Sequence, residues 1–236
     1  MFAVHEKNNT VVVANKKKIQ AYGWQGPGFV LRKEFNVFDV PKSVLCIGGS
    51  VVIGYKKFYE CLDLASGVTN RLLDVEKECK MVPFELPASP FRGESTILST
   101  GLQGVVLDTA KVLSGVSFAY GGPSEERLEW SSQPVSAIVV NPFIVTLLAD
   151  AVEIHDIATL HTLQKIQITS TSPHVLSMCS CFIDVAAPVG NSSSFAVGGL
   201  VAQSQCIFLC NGEQLSVLKM IPIMNQVPNY LLKSFV

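Results

Sequence analysis

The chain has 236 residues, 48% of them hydrophobic and 16% charged, with a formal charge of −1. So even a balance excludes strong steering toward nucleic acid or an anionic membrane, and charge this far below the usual ~25% means that much of the chain is hidden from water. A spanning helix does not account for that, because the longest apolar stretch, Val135 to Ala149, is broken by Asn141-Pro142 and followed by Asp150 and Glu153, whereas such a helix needs about twenty clean apolar residues.

Met1 to Thr10 carries polar and charged residues where a secretory signal would carry an apolar core, so the expected location is the cytosol. Three strands are then predicted, Val11 to Ala14, Ile19 to Trp24 and Phe29 to Phe35, joined by Asn15-Lys16-Lys17 and by Gly26-Pro27-Gly28. The clearest unit follows, from Ser43 to Leu73. Strands Ser43 to Ile47, Ser50 to Tyr55, Phe58 to Leu64 and Val68 to Leu73 are separated by Gly48-Gly49, Lys56-Lys57 and Ala65-Ser66-Gly67, which makes four antiparallel strands. Val82 to Leu86, Ser95 to Thr100 and Gly104 to Asp108 start a third set whose outer strand has no clear signal, and Ser114 to Glu126 reads as a long surface loop.

Trp130 leads into a fourth set: Val135 to Val139, Phe143 to Leu148, Val152 to Ile157 and Leu163 to Ile168. The fifth comprises Ser177 to Val185, Phe195 to Val201, Gln205 to Cys210 and Gln214 to Ile221, with Pro188 to Ser194 as a loop and Asn211-Gly212 as a hairpin signal. In the tail from Met224 to Phe235, Val227, Tyr230, Leu231, Leu232 and Phe235 fall at roughly helical spacing, with Pro228 suited to a first turn. A short helix and a last strand both fit that tail.

Five apolar strand pairs thus recur at intervals of roughly forty to fifty residues, the pattern that β-propeller blades leave in a sequence. A sheet packed between two others is covered on both faces and loses the polar half of the usual alternation. The expected fold is all-β: a partial β-propeller of about five four-stranded blades over residues 1–223, with 224–236 as a C-terminal tail and candidate start of a helical segment.

Chemistry is scarce. Of His5, His155, His161 and His174, only His155 and His161 stand at H-x5-H spacing, and no cysteine pair precedes them to complete a zinc site. Cys179 and Cys181 form a C-x-C, and Cys206 and Cys210 share one predicted strand, but no second pair follows at zinc-site distance. The seven cysteines therefore read as small buried apolar groups of a reducing compartment. There is no G-x-S-x-G elbow, no P-loop and no G-x-G-x-x-G; Gly23, Gly26 and Gly28 belong to a turn around Pro27. Asp63, Asp108 and Asp156 recur near the ends of third strands and read as hairpin caps, since a metal-binding propeller needs acids and amides on the innermost strands. The sequons at Asn8 (Asn8-Asn9-Thr10) and Asn191 are chance matches in a cytosolic chain. Lys16, Lys17 and Lys18 occupy the same hairpin of one blade as Lys56 and Lys57 do of the next, which marks one face of the disc as a candidate surface for an acidic partner; ordinary solvation of exposed turns is the plainer explanation.

Several segments resemble a known family. Asn15 to Tyr22, Phe29 to Ser43 and Ile53 to Lys57, then Leu128-Glu129-Trp130 to Pro134, Asn141 to Val145, Val152 to His155 and finally Lys219 to Ile223 are similar to the citron-homology (CNH) domain of the Vam6/TGF-β-receptor-associated-protein family of tethering subunits. The likeness covers most of the chain and is patchy over Val75 to Ser95 and Leu113 to Glu126; its motifs are structural and name no binding residue. Family members carry further blades before the matched region and a helical solenoid after it. The resemblance implies a non-catalytic scaffold of the HOPS or CORVET type, without a cofactor, that joins other tethering subunits, engages a Rab-family small GTPase and sits peripherally on endosome, lysosome or vacuole. Two other expectations stand beside it: a signalling CNH module that binds small GTPases, and a metal-dependent propeller hydrolase.

Overall fold

A computed structural model describes residues 1–5, 8–75, 80, 82–118, 126–168, 176–184, 203–211, 214–222 and 230–235, with side chains up to residue 168. The described strands form five antiparallel four-stranded sheets, each with its strands in chain order. Sheet 1 is β1 (Phe2–His5), β2 (Thr10–Asn15), β3 (Lys18–Gln25) and β4 (Gly28–Asn36). Sheet 2 is β5 (Ser43–Ile47), β6 (Ser50–Gly54), β7 (Phe58–Asp63) and β8 (Thr69–Asp74). Sheet 3 is β9 (Pro83–Leu86), β10 (Ser95–Ser99), β11 (Gln103–Asp108) and, after the short helix α1 (Thr109–Leu113), β12 (Arg127–Glu129). Sheet 4 is β13 (Pro134–Val140), β14 (Phe143–Leu148), β15 (Ala151–Asp156) and β16 (Thr162–Gln167); sheet 5 is β17 (Leu176–Asp184), β18 (Gln203–Asn211), β19 (Gln214–Pro222) and β20 (Tyr230–Phe235). Among the described residues no helix is long and apolar enough to cross a membrane.

The chain divides into two compact units, Met1–Ile168 with sheets 1 to 4 and Thr169–Val236 with sheet 5. In the first unit the first strands of consecutive sheets, β1, β5, β9 and β13, adjoin one another. The sheets pack face to face because their middle strands are apolar on both sides. In β6, Val51 and Ile53 join Val12, Ala14 and Ile19 of sheet 1, while Val52 turns the other way to meet Leu98, Val105 and Leu107 of sheet 3. In β10 and β11 the same alternation sends Ile97 and Val106 to Ile144 and Leu148 of sheet 4. Every one of these aliphatic side chains is buried, and each fully buried one contributes on the order of 1.5–3 kcal/mol. The fourth strands end the sheets, and β4 is exposed along almost its whole length.

In four places the structure adds to the sequence reading or resolves what it left open. Residues 2–5 form a strand, β1, which pairs with β2 from Phe2 opposite Val13 to His5 opposite Thr10; its outward residues are exposed, so no apolar run announces it. The outer strand of sheet 3 is Arg127–Glu129, placed opposite Gln103 to Val105, so Leu128 and Glu129 close the third sheet and do not open the fourth. Of the stretch Ser114 to Glu126 expected as a surface loop, which follows the short helix α1, Ser114, Val116 and Ser117 are exposed, while Phe118 is half-buried beside Leu73. In the tail, Tyr230–Phe235 is strand and not helix, since β19 offers an open edge against which Phe235 pairs with Val217 and Tyr230 with Pro222. Phe195 to Val201, the loop Pro188 to Ser194, residues 119–125 and 224–229, His174 and Asn191 lie outside the described residues.

Candidate functional site

The aspartates Asp63, Asp108 and Asp156 do what hairpin caps do. Asp63 Oδ1 accepts from the amides of Ala65 and Ser66, Asp108 Oδ1 from those of Ala110 and Lys111, and Asp156 Oδ2 from the amide and hydroxyl of Thr159. The two amide bonds hold the Asp63 carboxyl below its ordinary value. Spent on turn geometry, these groups are not arranged to attack a substrate. Among the described residues no three His, Cys, Asp or Glu side chains gather as metal ligands.

The residues of the Leu128-Glu129-Trp130 and Val152 to His155 segments meet between sheets 3 and 4. The Trp130 indole Nε1 donates to Thr146 Oγ1 at 3.1 Å, and the Trp130 amide donates to the Leu102 carbonyl at 2.9 Å, so one residue ties the third sheet to the fourth. His155, fully buried, presents Nε2 to the Glu129 carbonyl at 3.1 Å. Because a carbonyl only accepts, Nε2 carries the proton, which leaves Nδ1 bare, and Nδ1 has no partner among the described residues. Burial pushes the His155 pKa down, against the Glu129 carbonyl and the Glu153 carboxylate, 3.9 Å away, which favour the charged form. Glu153 in turn accepts from the Ser131 amide at 3.3 Å and lies 3.7 Å from Lys165 Nζ. The Trp130 and His155 bonds join sheet 3 to sheet 4, while Glu153 and Lys165 pair within sheet 4.

The lysine turns lie at one end of the first unit, each joining the second and third strands of its sheet. Lys16 and Lys17 form the β2–β3 turn, Lys16 with φ of 52°, and Lys18 begins β3; Lys56 and Lys57 form the β6–β7 turn. All five are exposed. Lys17 Nζ stands 3.9 Å from Asp39, and Lys18 Nζ donates to Glu34 Oε1 at 2.5 Å, which with the Gln20 amide lowers the Glu34 pKa. The Lys17 and Lys57 carbonyls accept from the Val37 and Val75 amides, so the two turns are built alike.

Beside these turns lies a group that sequence reasoning did not single out. Phe38 is 76% exposed, in the link between sheets 1 and 2, with its ring 6.3 Å from that of Phe58. The Arg71 guanidinium lies 4.0 Å over Phe58 and is held by Asp74. Exposed aromatic carbon beside arginine and lysine is the composition of protein-contact surfaces. The signal was faint because Phe38, Phe58 and Arg71 belong to three separate segments.

Residues 1–177 match the family model described as CNH domain. Vacuolar sorting protein 39 of Arabidopsis thaliana is 28% identical over 130 residues, 55% of this chain and 12% of that protein. The AfRom2 CNH domain superposes with a TM-score of 0.56 at 13% identity, over 92% of this chain and 61% of that one. The Neurospora crassa Pan2 WD40 domain superposes with a TM-score of 0.54 at 12% identity, over 89% and 61%. At such identities the two structures establish the fold alone, a propeller assembly of four-stranded sheets. The chain thus spans only a small part of the curated relative that it matches.

Proposed function

Since the chain belongs to the CNH domain family, we propose that it acts as a non-catalytic protein-interaction propeller within a tethering complex of the HOPS or CORVET type. The observation that carries this reading is the family match over residues 1–177 together with a relative named for vacuolar sorting. The chemistry agrees with it: the recurrent acids cap turns and the buried histidine is engaged between sheets, while exposed aromatic and basic groups gather at one end of the first unit. In this reading residues 1–223 are the propeller and 224–236 the tail. The lysine turns with Phe38 and Arg71 contact other tethering subunits or a Rab-family small GTPase, and the protein is cytoplasmic, reaching endosomal, lysosomal or vacuolar membranes through its partners. Affinity purification of the full-length gene product from cells tests the proposal. Co-purification of the other tethering subunits is the expected result, and their consistent absence refutes it.

A further inference from the structure

The opposite end of the first unit holds a groove of about 450 Å³ between sheets 1 and 2. Its walls are the outer strand β4, with Arg32 and Lys33, the Gly48-Gly49 turn, and Ala65 in the β7–β8 turn. Three features make it a built cradle for an anion. First, the pairing of β3 with β4 slips between Ala21 and Tyr22, whose partners are Lys33 and Leu31. Arg32 is the extra residue of this bulge, and a bulge re-aims a side chain, so Arg32 and Lys33 both face the groove instead of alternating. Second, Arg32 lies flat against Gly23, where an added Cβ would come 1.7 Å from Arg32 Nε; only glycine leaves that place to the guanidinium. Third, Lys33 Nζ donates to the Ala65 carbonyl, whereas Arg32 has neither a hydrogen bond nor an ion pair among the described residues. The nearby carboxylate, Asp63, caps its own turn through Oδ1 and adds a weaker attraction to Lys33, none to Arg32.

The next groove along shows what fits such a space. Between sheets 2 and 3 the chain fills it with its own residues after β11. Val112 enters the core there, Gly115 packs against Asn70, and the Phe118 amide donates to the Leu72 carbonyl at 2.7 Å as Phe118 runs parallel to Leu73 on the edge of β8. In sheet 2 the corresponding connection is the tight turn after Asp63, so among the described residues the edge of β4 receives no such segment.

We propose that the groove between sheets 1 and 2 docks an extended acidic segment of a partner protein, whose carboxylate seats on Arg32 and Lys33 and whose backbone runs along the edge of β4. It rests on the protein-interaction reading and adds the chemistry of the partner. A bidentate carboxylate suits the arginine fork, and strand addition to an exposed edge supplies the main-chain bonds. The test selects binders from a random 12-residue peptide display library on the 236-residue chain, then measures fluorescein-labelled winners by anisotropy against the chain, R32E/K33E, the neutral R32Q and G23V. The expected winners are rich in Asp and Glu, bind at least tenfold more weakly to R32E/K33E, and bind several-fold more weakly to R32Q and G23V, with circular dichroism unchanged in R32Q. Winners without acidic residues, or equal affinity for R32Q and the unaltered chain, overturn the proposal. So does an Arg32-dependent dimer in sedimentation, or tighter Arg32-dependent binding to phosphoinositide vesicles than to any peptide, since the occupant is then a second copy or a lipid surface. Peptide capture by the chain alone does not depend on which complex co-purifies from cells, so either result can fail without the other.

Discussion

Replacing His155 by glutamine removes a titrating group from between sheets 3 and 4 while keeping a donor for the Glu129 carbonyl, because the amide nitrogen of glutamine reaches about as far as Nε2. In the native protein the imidazole is fully buried, its Nε2–H is engaged at 3.1 Å and its Nδ1 has no acceptor among the described residues. Protonation adds a charge, with the Glu153 carboxylate 3.9 Å from Nε2, and puts a second N–H on Nδ1, which has no acceptor among the described residues. Burial outweighs that carboxylate, so the folded pKa lies below the ordinary histidine value. The sign follows: above the unfolded pKa of about 6.5 neither state binds the proton, and as the pH falls through that value the unfolded chain takes it up first, so stability is lost. A folded state that refuses the proton entirely loses about 1.4 kcal/mol between pH 7.5 and 5.5, which is the ceiling for one such group. Urea unfolding followed by tryptophan fluorescence at both pH values, with unaltered chain and H155Q side by side, isolates this contribution from every other titration. The expected result is that the stability difference between unaltered chain and variant falls on acidification, by no more than that ceiling of about 1.4 kcal/mol. A difference that stays flat, or grows in favour of the unaltered chain, refutes the argument, the second outcome showing that Glu153 governs the imidazole after all.

Gly104 lies so close to its neighbours in and beside sheet 3 that an added Cβ would stand 2.6 Å from Ile97 Cγ2 and 2.7 Å from Trp130 Cη2; G104A is expected to cost roughly 1–3 kcal/mol in urea unfolding, and an unchanged midpoint contradicts the packing described. Burial, with a smaller push from Glu85, raises the Cys46 thiol to about 11. At pH 8 it then holds about a hundredfold less thiolate than an ordinary thiol. Iodoacetamide labelling read by peptide mass spectrometry is expected to spare Cys46 until urea is added, and rapid labelling of the native chain counts against its burial. Reversing charge in the turns, as K16E/K17E/K56E/K57E, is expected to leave the melting temperature within a few degrees, since exposed charges contribute little to stability, and to abolish co-purification of the tethering subunits. Retained co-purification removes those turns from the interface.

How far the fold was legible follows from where burial is two-sided. Sheet 2 could be read strand by strand because Val51, Val52 and Ile53 are all buried, and the glycine and lysine turns punctuate the runs. Where only one side is buried, or the strand is short, the signal fades: β1 alternates exposed and half-buried residues, and β12 has three residues, one of them buried. The tail stayed open because Tyr230, Leu231 and Leu232 satisfy a helical period and a strand equally, and the choice belongs to the edge of β19. The lysine turns were visible as charge in a turn. Phe38 and Phe58, twenty positions apart, were not, and neither was the bulge at Arg32, which exists only in the pairing of β3 with β4.

Each apolar cluster in the first unit is assembled from two consecutive sheets. A polypeptide emerging from the ribosome therefore never waits long for the surface that a finished sheet must cover, as its mate is always the next to be made. Such short-range closure favours rapid, stepwise condensation and shortens the interval in which sticky flanks are open to other nascent chains.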